Sequence, residues 1–341
     1  MEGVKSFNLF REASSELCDW LLKAGKVKDY KPGQVLIPEG EISSHIIIVI
    51  EGEVAVNTTD QRGQLQNLAT LTQGSIAGEM SWLENRPAVA DIVTKDDSKI
   101  CMIEIEKLEE LPGSNLKLAA ELQKAIAKKL AAQISNQNAW IHRYSGPGGQ
   151  IEPLRKVLVL FSELEERDVN TLANLGSLKR IHPQETLIKQ GDNIPSVYLI
   201  LAGEADIYVE IDEVSKKVGS SRRGELLGEL TLLMDDSQGA TATVQSKEGM
   251  EVMELNKAKL NKELINNASL STRFYRSISC MLSQRSRDQL LASQLAARSQ
   301  ASESNEDADE IELDLLGGIN RAGQRFNLLC QKFQGIAGVE S

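Results

Sequence analysis

The chain has 341 residues, of which 41% are hydrophobic and 26% charged, which is ordinary for a soluble globular protein and enough for two domains. The net charge of −11 argues against a nucleic-acid partner, because phosphate binding requires clustered lysine and arginine. No apolar run approaches the roughly 20 residues of a membrane helix, so we expect no membrane insertion. The four cysteines are far apart and the three histidines have unrelated spacings, which predicts reduced thiols, a cytoplasmic location and no metal site.

The first half of the sequence predicts a helix, then short strands, then a long helix. Ser14 precedes an apolar spacing that is typical of a capped helix over residues 14–22. Strands this short and regularly spaced predict a small antiparallel sandwich or barrel. The runs of β-forming residues lie at 34–37, 45–50, 53–58 and 92–105, between glycine and proline turns. The apolar face of the long helix consists of Leu116, Ala120, Ile126, Leu130, Ile134 and Ile141.

The second half repeats the first in the same order. Residues 182–205 align with residues 31–54 without a gap, at an offset of 151. A long offset of this kind indicates two copies of one domain and not a solenoid, whose period is roughly 20–50 residues. A helical stretch over 154–175 opens this copy. The apolar face of its final helix consists of Phe274, Ile278, Leu282, Leu291 and Leu295.

The last forty residues differ in composition from both copies. Residues 299–310 carry acidic residues and no basic ones, and we expect them to form a disordered tether. An a/d heptad stripe follows, formed by Leu315, Ile319, Ala322, Phe326, Leu329, Phe333 and Ile336. Gly317, Gly318 and Gly323 each cost this helix about 1 kcal/mol relative to alanine. Two alternatives stay open: the segment folds back on the second domain, or it docks in the groove of a partner or pairs with itself.

These patterns divide the chain into five segments. The predicted segments are a first domain (1–145), a Gly- and Pro-rich linker (146–153), a second domain (154–298), the tether (299–310) and an amphipathic interaction segment (311–341). We expect each domain to fold by itself, since each has its own helices and strands.

Both copies resemble the cyclic-nucleotide-binding domain family. The motifs that carry the resemblance are KPGQVLIPEGE with IIIVIEGEVAV in copy one, and QETLIKQGDN with VYLILAGEADIYV in copy two. The resemblance implies a mainly β fold with flanking helices (α+β): two tandem double-stranded β-helix (jelly-roll) domains, each ending in long helices, plus the C-terminal amphipathic helix. Two tandem copies look like the architecture of protein-kinase regulatory subunits, although no kinase-inhibiting segment is recognisable.

The resemblance also implies roles for a loop that begins with Gly-Glu. In the family the N-terminus of a short helix and an arginine bind the cyclic phosphate, and the glutamate accepts a hydrogen bond from the ribose. Copy one matches with Gly78, Glu79 and Met80, and copy two matches with Gly228, Glu229 and Leu230. At the arginine position, copy one has Ala88, followed by Val89; copy two has Gln238 or, if its loop is two residues longer, Ala240.

The absent arginine predicts degenerate nucleotide pockets. A lost charge-assisted contact is worth about 1.5–3 kcal/mol, so we expect cAMP and cGMP binding to be weak or absent, and no cofactor. Arg86 precedes the proline of the loop, so its side chain leaves the backbone at a different place. We therefore do not expect it to replace the phosphate-binding arginine. For Glu79 and Glu229 two roles stay open: capping of the loop amides, or ribose binding.

The predicted function is that of a non-enzymatic regulatory or scaffold protein of bacterial origin. It is predicted to be non-enzymatic because no catalytic residue grouping is recognisable. We expect it to act through protein–protein interaction or self-association. The predicted interaction residues are Leu315, Ile319, Phe326, Leu329 and Phe333. The alternative is a genuine receptor for cAMP, cGMP or another second messenger that regulates a partner protein. The pair Arg222-Arg223 is interpreted as part of a solvated turn.

Overall fold

The computed structural model describes residues 8–59, 65–144, 156–211, 214–234, 239–299 and 313–337. These residues belong to two compact units. The first unit comprises Met1–Gln137 and Leu282–Ser304, and the second comprises Asn138–Met281 and Asn305–Ser341. The predicted linker at 146–153 and most of the predicted tether lie outside the described residues.

Copy one has two antiparallel four-stranded sheets with helices on either side in the sequence. Its elements are α1 (Leu9–Glu12), α2 (Ser15–Ala24), β1 (Lys26–Tyr30), β2 (Val35–Ile37), β3 (His45–Glu51), β4 (Val54–Thr59), β5 (Leu65–Leu71), β6 (Ile76–Ala77), α3 (Glu79–Glu84), β7 (Asp91–Thr94), β8 (Ser98–Glu104), α4 (Ile105–Ser114) and α5 (Leu116–Tyr144). The strand orders are β1-β8-β3-β6 and β2-β7-β4-β5, so successive strands alternate between sheets except for the paired β4 and β5, as in a jelly roll.

Copy two repeats this order with longer strands. Its elements are α6 (Lys156–Glu163), α7 (Glu166–Leu175), β9 (Ser177–Ile181), β10 (Thr186–Ile188), β11 (Ser196–Ile211), β12 (Val214–Arg222), β13 (Leu226–Leu227), α8 (Glu229–Leu233), β14 (Thr243–Asn256), α9 (Lys257–Asn266) and α10 (Ala268–Ser299). Strand β11 covers the equivalents of β3 and β4, and β14 covers those of β7 and β8. One further helix, α11 (Leu313–Ala337), follows. The structure therefore confirms the predicted tandem jelly-roll fold.

Local interactions set the helix boundaries. Ser14 caps α2 by accepting a hydrogen bond from the amide of Leu17 at 3.2 Å, as the sequence predicts. The predicted helical stretch 154–175 is instead two helices. It breaks because the amide of Glu165 donates to the carboxylate of Asp168 at 2.7 Å, which starts a new helix with a capping box.

A left-handed glycine bends the chain at the same place in both copies. Gly52 has φ +89 between β3 and β4, and Gly203 has φ +87 within β11. A Cβ at residue 203 would lie 2.4 Å from the carbonyl oxygen of Gly249, so no other residue fits this bend without movement of the backbone. The matched glycines at 52 and 203 thus have a structural cause.

The core of each copy lies among its strands. Buried core residues of copy one include Leu36, Ile37, Ile47, Val49, Val54, Ala77, Ile92 and Ile100. Those of copy two include Ile181, Ile188, Ile194, Tyr198, Ile200, Leu227, Ala240, Val244 and Val252. Among the described residues, no helix is both long and apolar enough to cross a membrane, and no group of side chains has the composition of a metal site.

Candidate functional site

Both copies place a left-handed glycine directly before the short helix of the Gly-Glu loop. Gly78 has φ +88 and precedes α3, and Gly228 has φ +79 and precedes α8. A Cβ at residue 78 would lie 2.9 Å from the carbonyl oxygen of His45, and a Cβ at residue 228 would lie 2.6 Å from Cδ1 of Ile194. Backbone conformation and close packing therefore account for glycine at both positions without any ligand.

The carboxylate of Glu79 is buried and has a cationic partner within the first unit. Only 2% of the Glu79 surface is exposed, and its Oε1 accepts a hydrogen bond from Nζ of Lys129 in α5. Lys129 also donates to Oε1 of Gln133 at 2.9 Å. A ribose hydroxyl would have to share this carboxylate with the lysine. Neither of the two roles considered from the sequence anticipates this ion pair.

Copy two differs at the helix position that supplies the lysine. The helices α5 and α10 begin at Leu116 and Ala268, and this offset places Met281 at the equivalent of Lys129. Methionine is uncharged, so this position cannot neutralise Glu229 as Lys129 neutralises Glu79. Glu229 is nevertheless 4% exposed. The two loops therefore share their backbone form but differ in the residue at this position of the following helix.

Backbone hydrogen bonds identify the residue that stands at the predicted arginine position. The amide and carbonyl of Ala88 each pair with the turn at 40–41, at 2.9 Å. Ala240 makes the same two bonds with the turn at 191–192, at 2.8 Å. Ala240 is therefore the structural equivalent of Ala88, which selects the longer-loop alternative for copy two. Gln238 lies outside the described residues.

The remaining predicted loop residues are apolar and pack towards the protein interior. Ala88 is half-buried against the core of copy one, and Ala240 is 5% exposed in the core of copy two. Met80 and Val89 are half-buried, and Leu230 is buried. These side chains offer no charge to a phosphate.

Two other basic side chains close to the copy-one loop do not act at Ala88. Arg86 is 44% exposed and its Nη1 lies 3.9 Å from Oε2 of Glu84, so its charge is directed to a carboxylate. Burial lowers the pKa of the His45 imidazole below its ordinary value, so this ring is uncharged at pH 7.

A buried arginine far along the chain holds the other end of the copy-one loop. Nε of Arg287 donates to Oε2 of Glu84 at 2.7 Å, and its Nη1 donates to the carbonyl oxygen of Pro87 at 2.9 Å. The hydroxyl of Ser283 donates to the other oxygen of the same carboxylate. The side chains of Arg287 and Glu84 are only 7% and 1% exposed. Because the segment from Leu282 belongs to the first unit, this ion pair is internal to that unit.

The tail helix α11 packs on helices α6 and α7 of its own unit. The buried side chains of its stripe are Ala322, Phe326, Leu329 and Phe333, with Cys330 beside them. The ring of Phe326 lies 5.2 Å from the ring of Phe161 in α6. Leu315 and Ile319 belong to α11, but their side chains are outside the description. In this structure the segment therefore docks in cis.

Two arginines fix the position of α11. Nη1 of Arg325 donates to the carbonyl oxygens of Phe161 at 3.0 Å and Ser162 at 2.8 Å, and so caps the C-terminal end of α6. The guanidinium carbon of Arg223 lies 5.0 Å from the centre of the Phe326 ring, a cation–π geometry. Arg223 does lie in a turn, as predicted, but that turn is a contact site for the tail.

Three charged residues of these sites were missed by sequence reasoning. Lys129, Glu84 and Arg287 are separated from their partners by 50 to 203 residues, and no local spacing links them. The sequence signal for Arg287 is the interruption of the apolar face of the final helix between Leu282 and Leu291, where two serines, two arginines and an aspartate stand.

Comparisons with known proteins identify the family of both copies. The sequence model of the cyclic nucleotide-binding domain matches residues 27–115 and 178–267, one match per copy and together more than half of the chain. Cyclic GMP-binding protein C of Dictyostelium discoideum is 30% identical over 138 residues, which are 39% of this chain and 5% of that protein. The cAMP-dependent protein kinase type II regulatory subunit of Drosophila melanogaster is 20% identical over 241 residues, 71% of this chain and 55% of that protein.

Among solved structures, the regulatory subunit of a cAMP-independent protein kinase A from Trypanosoma cruzi, bound to guanosine, is also similar. At 16% identity it covers 89% of this chain and 93% of its own, with a TM-score of 0.31. The chain spans 5% and 55% of the length of the two curated relatives above. Both relatives are eukaryotic, so they give no support to a bacterial origin.

Proposed function

Because the chain belongs to the cyclic nucleotide-binding domain family through both of its copies, we propose that it is a non-enzymatic regulatory protein that acts by binding another protein. In this proposal neither copy binds cAMP or cGMP tightly. The regulatory role follows the relatives, which include a regulatory subunit of a protein kinase. A protein kinase is accordingly the first class of partner to consider.

One observation carries the proposal: alanine occupies the equivalent backbone position in both loops. The backbones of Ala88 and Ala240 make the same pair of hydrogen bonds, to the turns at 40–41 and 191–192, and neither side chain can donate a hydrogen bond to a phosphate. In copy one the nearby Glu79 is also engaged by Lys129. A cyclic phosphate in copy one would therefore lack its charge-assisted contact, and its ribose would compete for a carboxylate that is already paired.

Restoring the missing charge is expected to restore nucleotide binding in copy one. In the full chain, Ala88→Arg should raise the affinity for cAMP or cGMP by roughly tenfold or more, because a charge-assisted hydrogen bond contributes about 1.5–3 kcal/mol. Isothermal titration calorimetry of the unmodified and substituted chains with both nucleotides measures this change. Ala88→Met is the matched control, since it adds similar bulk without charge and should leave the affinity unchanged.

The same titration tests the alternative of a second-messenger receptor. Sub-micromolar binding of cAMP or cGMP by the unmodified chain would contradict the proposal, and regulation by nucleotide would then be the better explanation. No heat of binding up to millimolar nucleotide would support a protein that acts through its partner alone.

A further inference from the structure

The groove that holds α11 has the chemistry of a site for an amphipathic helix. We define the tail groove by helices α6 and α7 and the side chain of Arg223. It receives Phe326 between Phe161 and Arg223, and it buries Leu329 and Phe333 at 0% and 4% exposure. The spacing of three and then four residues places all three anchors on one helix face. This is the arrangement by which a helix docks in a groove between two proteins.

The docked helix contains a glycine that its packing does not require. A Cβ at Gly323 would meet no atom within 4 Å, and the backbone there is not left-handed, so alanine fits this position. Gly317 and Gly318 also lie within α11. Glycine lowers helix stability without any steric need for it at residue 323, which weakens docking. A competing helix without this glycine would not carry that cost, and could therefore displace α11.

Charge indicates which competitor the groove favours. Residues 313–337 contain three basic residues, Arg321, Arg325 and Lys332, against the single acidic residue Asp314, whereas the whole chain has a net charge of −11. One of these basic residues, Arg325, donates directly to the C-terminal carbonyls of α6. Residues 156–175, which contain the two groove helices, have four acidic residues and two basic ones. A basic helix is therefore attracted to the groove, while a second copy of this acidic chain is repelled as a whole.

We propose that the tail groove is an exchangeable docking site for a basic amphipathic helix of a protein partner, and that α11 is its built-in competitor. The partner helix would carry the pattern Arg-Phe-x-x-Leu-x-x-x-Phe, which α11 has at residues 325–333. This inference rests on the proposed function, because it assigns a surface and a chemical class to the protein partner. The partner binds when its helix displaces α11.

The test uses a fluorescent synthetic peptide of residues 313–337 as the probe and full chains as receptors, with binding followed by anisotropy. Phe326→Asp in the chain releases α11 and should raise the affinity for the probe by at least tenfold. Gly323→Ala stabilises the docked α11 and should lower the affinity by about fivefold, the equivalent of roughly 1 kcal/mol. Gln324→Asp adds the same charge on the exposed face of α11 and should change neither value.

Further probes decide between occupants. A peptide with Arg321, Arg325 and Lys332 replaced by glutamine should bind the Phe326→Asp chain at least tenfold more weakly; equal binding overturns the requirement for a basic helix. Identical probe affinity for the unmodified and Gly323→Ala chains overturns the proposal even if Phe326→Asp does not fold. A dimer in light scattering that Phe326→Asp converts to a monomer would show that the occupant is a second copy, which also overturns it. None of these measurements uses nucleotide. A negative result here therefore overturns the proposal for the tail groove, while the nucleotide titration tests the proposed function separately.

Discussion

Replacing Arg287 with methionine is expected to lower the free energy of unfolding of the first unit by about 3–5 kcal/mol, because it leaves the buried carboxylate of Glu84 without its main cation. The side chain of Glu84 is 1% exposed, and its Oε2 accepts from Arg287 at 2.7 Å. The substitution also removes the hydrogen bond to the carbonyl of Pro87. We therefore expect the loop from α3 to Pro87 to lose protection first. Hydrogen exchange of individual amides in the full chain, measured at increasing urea concentration, reports both the free energy of unfolding and the protection of this loop.

A second arginine at the same carboxylate provides a matched control. Arg86 lies 3.9 Å from Glu84 but is 44% exposed, and exposed ion pairs contribute about 0–1 kcal/mol. Arg86→Met should therefore be almost silent. The double substitution Glu84→Met with Arg287→Met should recover much of the loss, because it removes both buried charges. Equal effects of Arg287→Met and Arg86→Met would contradict the assignment of Arg287 as the residue that holds this loop.

Gly203→Ala is expected to destabilise the second unit by about 2–5 kcal/mol. The left-handed conformation at φ +87 costs an alanine about 1–2 kcal/mol. The new Cβ would also lie 2.4 Å from the carbonyl oxygen of Gly249 and 2.8 Å from Cα of Met250, and such overpacking costs about 1–3 kcal/mol more. Both contacts are with backbone, which cannot rotate away. Urea unfolding of the full chain, monitored in the second unit, measures the change.

Gly191 separates the conformational cost from the steric cost. It has the same φ of +87, but a Cβ there would meet no atom within 4 Å. Gly191→Ala should therefore show only the conformational cost of about 1–2 kcal/mol. If Gly203→Ala and Gly191→Ala destabilise the second unit equally, the close approach at Gly249 does not limit residue 203.

The sequence by itself determined the architecture of this protein. The two copies have the same elements in the same order, with short strands between glycine turns, and therefore adopt the same fold. This could be predicted because helix caps, strand periodicity and turn residues are patterns of a few neighbouring residues. The Gly-Glu loops and the alanine after Pro87 are equally visible in the sequence. The expectation of degenerate pockets depends on these residues.

Only the tertiary structure decided which partners the charged and apolar side chains have. The hydrogen bonds of Ala240 to a turn almost fifty residues earlier settled the register of the second loop. The pair of Glu84 and Arg287 joins residues 203 positions apart. The tail stripe was readable as a buried face, but its partner in the structure, a groove lined by Phe161 and Arg223, depends on how distant segments meet. Periodicity shows that a face will be buried, and the folded chain alone selects the surface that buries it.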